Sequence, residues 1–333
     1  MRAWRVAIAG ATGAVGTEMV KTLERRNFPV ASLKLLASAR SVGKKIRFKG
    51  EEIAVEELTH EAFKGVELVL SSTSGALSKE FTPSAVKAGA IVVDNTSAYR
   101  MEPDVPLVVP EVNPEDVKWH KGIIANPNCS TIIAAVPLWP LHKAFGIRRL
   151  IACTYQAVSG AGAWGIYELA EQTRAVLNGE PAVPKKFPHP IAFNVFSHNS
   201  KVAPNGFNEE ENKMMNETRK IFHEEGIRIS ATCVRVPVFR AHSEALHVEF
   251  GEVVSVEAAR AVLARAPGVK LVDEPGRNYF PMPIEATERD EVLVGRVRID
   301  PALDNGLALF ISGDQLLKGA ALNAVQIAEL LTG

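Results

Sequence analysis

The sequence contains few cysteines: three among 333 residues, Cys129, Cys153 and Cys233. Three scattered cysteines argue against a disulfide framework and are typical of a reducing compartment, so we expect a cytoplasmic protein. An excess of charge of one sign is also absent, because 38 lysines and arginines balance 38 aspartates and glutamates. This balance gives no indication of a nucleic-acid partner. No apolar run reaches the roughly 18 residues of a membrane span, so no membrane partner is expected.

The composition is that of a globular protein with a large core, since 47% of the residues are hydrophobic and 23% are charged. A chain of this length usually forms about two domains. In its first third, short apolar runs alternate with helical patterns. We expect strands at 5–10, 32–38, 66–72 and 90–96, and helices at 13–26 and 83–89. This alternation predicts an α/β fold with a parallel sheet between helices.

The pattern changes after residue 147, where strand-like runs become longer and more alternating. We expect strands at 148–160, 227–238, 245–253, 291–300 and 307–313, and helices at 166–177, 208–225 and 255–267. These elements predict a mixed α+β domain on a partly antiparallel sheet. The segment 314–331 has the pattern of an amphipathic helix that returns to the first domain. The expected domains are therefore 1–128 with 314–333, and 129–313, and a dimer arm could lie near 179–206.

Three glycines follow the first predicted strand in the stretch "GATGAVG": Gly10, Gly13 and Gly16. Their spacing is one step away from the usual dinucleotide-binding pattern GxGxxG. Glycine lets backbone amides at a helix N-terminus come close to a pyrophosphate. Glycines also serve helix packing, but the strand-glycine-helix context favours a Rossmann-type dinucleotide site.

The second predicted strand ends in "LLASARSVGKK", and no carboxylate follows it. A site that prefers NAD usually has an acidic residue there to bind the ribose hydroxyls. Ser38, Arg40, Ser41 and Lys44 cluster instead, which suits a 2′-phosphate. We therefore expect NADP as the cofactor, with a solvated basic loop as the alternative, and we predict no metal site.

Cys129 lies in the polar stretch "NPNCST", immediately before the apolar run "IIAAVPLW". A helix is expected to begin there, and its free amides and positive dipole end stabilise a thiolate. The alternative is a small buried hydrophobe, the usual role of a free cysteine. Cys153 and Cys233 fit that alternative because they lie in apolar strand patterns. Cys129 does not, and we expect it to be a nucleophile.

Seven motifs in this order resemble the aspartate-β-semialdehyde dehydrogenase family over essentially the whole chain. They are "GATGAVG", "DNTSAYRM", "NPNCST", "TYQAVSGAG", "NEEENK", "RVPVFRAHSEAL" and "KGAALNAVQIAE". The resemblance implies a Rossmann domain joined to a glyceraldehyde-phosphate-dehydrogenase-like catalytic and dimerisation domain. It also implies reversible NADPH-dependent reduction of aspartyl phosphate to aspartate semialdehyde and phosphate, in lysine, threonine and methionine biosynthesis. A homodimer or a dimer of dimers is expected.

The resemblance also implies roles for individual residues. Cys129 would form a thioester, His242 would be the general acid and base, and Gln156 would position the intermediate. For the substrate, Arg235 matches the α-carboxylate ligand, Glu210 the amine ligand, and Lys213, Arg100 and Asn128 the phosphate ligands. From spacing alone, Glu210 and Lys213 would be a surface ion pair. The matching cofactor positions are Thr12, Gly13, Ala14, Val15, Arg40, Ser41, Thr73, Ser159, Gly160 and Gln315.

Three other functions are possible for this sequence. An N-acetyl-γ-glutamyl-phosphate reductase uses the same chemistry, but its substrate has no free amine for Glu210. A glyceraldehyde-phosphate dehydrogenase-like activity fits less well, because the cysteine motif of that family differs from "NPNCST". A non-catalytic nucleotide-binding regulator is disfavoured by the joint presence of Cys129, Gln156, Arg235 and His242.

Overall fold

The computed structural model describes residues 2–332, which divide into two compact units. The first unit contains the residues up to Asn128 and those from Ala320 onwards, and the second contains Cys129–Gly319. Residues 314–319 thus group with the second unit, whereas the sequence pattern assigned them to the first. No helix within residues 2–332 has the length and apolar character needed to cross a membrane.

The first unit contains a seven-stranded sheet in the order β3-β4-β2-β1-β5-β6-β7. All neighbours pair in parallel except β3 and β4. The predicted parallel α/β sheet is therefore confirmed, and β1 lies where the strand order reverses, the usual ligand position in such sheets. The strands are β1 Trp4–Ala9, β2 Val30–Ala37, β3 Lys45–Phe48, β4 Glu51–Glu57, β5 Leu68–Ser71, β6 Ile91–Asp94 and β7 Ile123–Ala125.

Three helices cover this sheet: α1 Ala14–Arg25, α2 Gly75–Lys87 and α8 Leu322–Leu330. Side chains of α1 and α8 share one apolar core with β1 and β2, and α2 contributes to a second core. Arg26, next to the end of α1, forms a bidentate ion pair with Glu329 of α8, at 2.6 and 2.7 Å. The last helix of the chain is therefore part of the first unit's core.

The second unit contains another seven-stranded sheet, in the order β12-β13-β14-β11-β8-β10-β9. β8 pairs in parallel with β10 and antiparallel with β11, and β11 pairs antiparallel with β14. The predicted mixed sheet is confirmed. The strands are β8 Ile147–Gln156, β9 Phe196–Ser197, β10 Arg228–Arg235, β11 His242–Phe250, β12 Val269–Leu271, β13 Val292–Ile299 and β14 Gly306–Gly313.

The helices of the second unit are α3 Cys129–Phe145, α4 Ala163–Leu177, α5 Glu209–Phe222, α6 Val256–Leu263 and α7 Pro283–Ala286. α3 is buried over most of its length and packs on the sheet between α5 and α6. α5 begins with a capping box, in which Asn208 and Glu211 satisfy each other's backbone N–H groups. The N-terminal residues of α3 and α5 lie at the same face of this second sheet, where Gln156 bonds to both helices.

Several elements differ from the sequence-based expectation. α2 begins at Gly75 rather than at residue 83, because Ser74 caps it and Pro83 is tolerated inside it. The hairpin of β3 and β4 was not predicted, since its side chains are mostly charged and exposed. The prediction of an amphipathic helix over 314–331 is wrong about the residue at which the helix begins and about its amphipathic character. A π-helical segment occupies Leu317–Ala321, and α8 is buried around most of its circumference.

Gly10 has a conformation that other residues adopt only with strain. Its φ is +84°, and a Cβ on it would lie 2.3 Å from the Ser72 carbonyl oxygen. We expect Gly10→Ala to destabilise the first unit by about 2 kcal/mol or more, because both effects are unfavourable. Urea unfolding without cofactor measures the change.

Gly75→Ala is the matched control for this substitution. A Cβ on Gly75 has no neighbour nearer than 3.9 Å, and its φ is not positive. The control should leave the urea midpoint unchanged or raise it slightly. An equally small effect of Gly10→Ala would contradict the close approach described here.

Candidate active site

Cys129 is the first residue of α3, and no acidic side chain lies in the first turn of that helix. The uncompensated amides of a helix N-terminus stabilise a negatively charged sulfur. The backbone on one side of the sulfur is closely packed, since a Cβ on Gly319 would lie 2.9 Å from the Cys129 Cβ. Local structure therefore presents this thiol in a fixed place at the positive end of a helix.

His242 is an ionisable partner of this thiol. Its Nε2 lies 3.5 Å from Cys129 Sγ, and its Nδ1 accepts a hydrogen bond from the Ala157 N–H at 3.0 Å. Burial, reinforced by the positive charge of Arg235, lowers the pKa of His242 to about 3. The ring is therefore neutral at physiological pH, and because Nδ1 is an acceptor, its hydrogen is on Nε2, facing the sulfur.

Gln156 is the last residue of β8 and is buried. Its amide nitrogen donates to Ser130 Oγ at 2.8 Å and to Glu210 Oε1 at 3.2 Å. Ser130 is adjacent to the cysteine in the chain. Gln156 therefore connects the first turn of α3 to the carboxylate of Glu210 on α5.

Arg235 is the last residue of β10, where it is the parallel Cα partner of Gln156. Its guanidinium is buried and donates from Nη1 to the Ala157 carbonyl and from Nη2 to His198 Nε2, both at 2.8 Å. Its Nε is also buried but has no hydrogen-bond partner in the protein. A buried cation with a donor to spare is suited to bind an anionic group.

Glu210 and Lys213 form an ion pair of 3.3 Å on α5. Only 7% of the Glu210 side chain is exposed, against 28% for Lys213. The surface ion pair expected from spacing alone is therefore wrong, because the carboxylate is buried beside Gln156. Helical spacing cannot distinguish a buried pair from an exposed one.

Two further residues belong to this cluster and were not predicted. His198 accepts the hydrogen bond from Arg235, and its position in an irregular segment gave no signal. Glu244 lies two residues after His242, on the same face of β11. It is fully buried, and neither of its carboxyl oxygens has a hydrogen-bond partner in the protein. Burial, together with the charge of Glu210, raises the pKa of Glu244 well above its ordinary value and so favours the protonated form of this carboxyl.

The predicted cofactor residues of the second unit lie beside these groups. Gln315 donates to Ser159 Oγ, and its own oxygen accepts from the Ala241 N–H at 2.8 Å. A Cβ on Gly160 would lie 3.1 Å from Arg235 Nη1 and 3.2 Å from the His242 ring. Glycine at this position therefore leaves the space beside the His242 ring unfilled.

The predicted cofactor residues of the first unit lie at the carboxyl ends of β1, β2 and β5. Gly13 is the N-cap of α1, which has neither a side-chain cap nor an acidic residue in its first turn. Thr12 Oγ lies 3.3 Å from Ser41 Oγ, and Arg40 is exposed on the same turn. The amino end of α1 is thus suited to a pyrophosphate. The residues placed here are Gly10, Thr12, Gly13, Ala14, Val15, Gly16, Ser38, Arg40, Ser41 and Thr73.

Two predicted phosphate ligands, Arg100 and Asn128, are buried residues of the first unit. Arg100 donates to the carbonyl oxygens of Asn126 and Asn95, both at 2.9 Å. Among residues 2–332, no group of three or more His, Cys, Asp or Glu side chains is placed to hold a metal ion.

The raised pKa of Glu244 predicts that the stability of the fold depends on pH. Its pKa is higher in the folded than in the unfolded chain, so the folded state binds more protons and loses stability as pH rises above about 4.5. Glu244→Gln removes this dependence. Between pH 6 and pH 9, we expect the Tm of the variant to fall by about 1–2 °C less than that of the wild type, equivalent to roughly 1 kcal/mol for a chain of this length.

Glu209→Gln, on the exposed side of α5, is the control and should retain the wild-type pH dependence. Differential scanning calorimetry at several pH values provides the comparison. If Glu244→Gln follows the wild type across this range, Glu244 is ionised in the folded protein.

Comparison with known proteins agrees with this architecture. The family model for the semialdehyde dehydrogenase NAD-binding domain matches residues 5–120, and the one for the semialdehyde dehydrogenase dimerisation domain matches residues 138–318. An aspartate-semialdehyde dehydrogenase of Synechocystis is 56% identical over 327 residues, covering 98% of this chain and 97% of that protein.

Two solved structures are similar along their whole length. Aspartate semialdehyde dehydrogenase II of Vibrio cholerae, complexed with ASA, has a TM-score of 0.97 at 46% identity and covers 100% of this chain and 99% of its own. The Candida albicans enzyme with NADP has a TM-score of 0.75 at 27% identity, and 99% of each chain is covered. From its sequence, its two domains and its fold, the chain belongs to the aspartate-semialdehyde dehydrogenase family.

Proposed function

We propose that the protein reduces 4-phospho-L-aspartate to L-aspartate 4-semialdehyde with NADPH, reversibly, in lysine, threonine and methionine biosynthesis. The observation that carries this proposal is the contact of 3.5 Å between Cys129 Sγ at a helix N-terminus and the neutral ring of His242. Both groups lie in one unit with a buried cation, Arg235, and a buried anion, Glu210. This combination suits a substrate that carries a carboxylate, an amine and an electrophilic carbonyl.

The first chemical step is an acyl transfer to Cys129. Its thiolate attacks the carbonyl carbon of the acyl phosphate, a carbon–sulfur bond forms, and the carbon–oxygen bond to phosphate breaks as phosphate leaves with the electron pair. The Nε2–H of His242 is available to stabilise the oxygen that becomes negative in this step. A thioester on Cys129 results.

The second step is reduction of that thioester. The hydride that converts it to the aldehyde is the chemistry that NADPH supplies when bound. His242 again donates to the oxygen, and the helix N-terminus stabilises the departing Cys129 thiolate. To act as a base, the ring would have to accept a proton at Nδ1, which requires the Ala157 N–H to move away. Hydrogen-bond donation from Nε2 is therefore its first role.

Substrate recognition uses the buried charges. We propose that Arg235 binds the α-carboxylate, because its unpartnered Nε–H is available to it. Glu210 binds the amine, and Lys213, Arg100 and Asn128 contribute to phosphate binding. An N-acetylated substrate would leave the buried Glu210 carboxylate without an amine, which disfavours the reductase alternative.

The proposed cofactor is NADP, held by the amino end of α1, the turn that contains Ser38, Arg40 and Ser41, and the residues Thr73, Ser159, Gly160 and Gln315. No carboxylate occupies the end of β2 to bind the ribose hydroxyls. The exposed cation of Arg40 is suited to a 2′-phosphate.

We further propose a homodimer, alone or as a dimer of dimers, formed through the second unit. Two large side chains on the same face of β8, Ile151 and Tyr155, are 38% and 40% exposed. Exposed apolar side chains on a sheet face are typical of an association surface. None of the three cysteines forms a disulfide within residues 2–332, and we propose a cytoplasmic location.

Replacement of Cys129 tests the mechanism. We expect Cys129→Ala to lower phosphate-dependent reduction of NADP by aspartate semialdehyde about 10⁴-fold or more, because no other group forms the thioester. The affinity for NADP, measured by calorimetry, should stay within about 2-fold. Cys153→Ala removes a thiol from β8 and is the control with normal turnover. Activity of Cys129→Ala near the wild-type level would refute the thioester.

Replacement of Arg40 tests the cofactor. We expect Arg40→Ala to lower kcat/KM for NADP about 10- to 100-fold, which corresponds to the loss of one charge-assisted hydrogen bond. The value for NAD should stay within about 3-fold, because NAD lacks the 2′-phosphate. Arg47→Ala, at an exposed arginine of β3, should change neither value. Equal losses with both cofactors would contradict recognition of the 2′-phosphate by Arg40.

A further inference from the structure

We infer that His198 is a positioning residue that fixes the guanidinium of Arg235 and thereby the carboxylate of the substrate. This inference rests on the proposed function and adds a determinant of substrate affinity to it. The ring of His198 bonds to Arg235 and Ser200, and we expect its effect on the substrate to pass through the arginine.

The backbone places His198 next to Arg235. The short strand β9 pairs antiparallel with the end of β10, where Phe196 is the Cα partner of Arg235. The N–H of His198 then donates to the Cys233 carbonyl at 2.8 Å. The β9 segment is thereby attached to the edge of the sheet at the residue that carries the buried cation.

The hydrogen bonds of the His198 ring follow from the chemistry of arginine. A guanidinium can only donate, so His198 Nε2 accepts from Arg235 Nη2 at 2.8 Å. The hydrogen of the ring is then on Nδ1, which lies 3.0 Å from Ser200 Oγ. Burial lowers the pKa of His198 to about 4, so the ring is neutral and can accept at physiological pH.

Ser200 extends this connection to the second buried charge. Its Oγ also accepts from the backbone N–H of Glu210 at 3.2 Å. The chain of contacts from Arg235 through His198 and Ser200 therefore reaches the first turn of α5. One chain of hydrogen bonds therefore connects the proposed ligand of the substrate carboxylate, Arg235, with that of the amine, Glu210.

Without this bond, the guanidinium would keep its bond to the Ala157 carbonyl and a longer contact of 3.4 Å with Asn199. The charge of Glu210 also attracts the guanidinium. A long, flexible side chain with one firm bond and a nearby anion will not keep Nε directed at the substrate. Loss of His198 should therefore weaken substrate capture more than the chemical step.

Two substitutions of His198 distinguish the roles of its two ring nitrogens. The side-chain oxygen of Gln reaches the place of Nε2 and can accept from Arg235, whereas Asn reaches only the place of Nδ1. We expect His198→Asn to raise KM for aspartate semialdehyde about 10-fold or more, with kcat within about 3-fold. His198→Gln should restore KM to within about 3-fold of the wild type. His189→Asn, at an exposed histidine of the same segment, should leave both parameters unchanged.

A double-mutant cycle tests whether His198 acts through Arg235. In an Arg235→Leu background, His198→Asn should raise KM no further. Far-UV circular dichroism and NADP affinity show that each variant is folded. An unchanged KM in His198→Asn, equal damage in the Asn and Gln variants, or additive effects with Arg235→Leu would each overturn the inference. If the unmodified protein shows no activity with aspartate semialdehyde, the proposed function is refuted, and the inference with it.

Discussion

The hydrogen bond from the Ala157 N–H to His242 Nδ1 determines the character of the site. It fixes the ring hydrogen on Nε2, and burial keeps the ring uncharged, so a neutral donor faces Cys129. The positive charge that favours a thiolate then comes from the end of α3 and from the nearby Arg235 guanidinium rather than from an imidazolium. The Ala157 carbonyl accepts a hydrogen bond from Arg235 as well, so one peptide segment after β8 orients both the proposed catalytic ring and the proposed carboxylate ligand.

The register of the second sheet brings together residues that are far apart in the sequence. Gln156 and Arg235 are paired across β8 and β10, and His242 and Glu244 follow on β11. A shift of one residue would turn these side chains to the opposite face of the sheet. The site therefore depends on the pairing of three strands as much as on the identity of its residues.

Much of this could be predicted from sequence, because the strongest signals are local. The glycines at the end of β1 and the cysteine at the start of α3 depend only on neighbouring residues. The burial of Glu210, the raised pKa of Glu244 and the bond of His198 to Arg235 depend on tertiary contacts, which no spacing pattern reports. The β3–β4 hairpin was missed for a different reason, because its charged exposed side chains lack the apolar run by which strands are recognised.

The core shared by α1 and α8 also affects the order in which the protein can fold. The ribosome synthesises α8 after every residue of the second unit, yet α8 and its ion pair with Arg26 belong to the first unit. Part of the apolar surface of the nascent dinucleotide-binding unit therefore stays exposed while the second unit is synthesised. Because exposed apolar surface makes a partly folded chain prone to aggregation, this chain topology creates an interval of vulnerability that ends when α8 is synthesised.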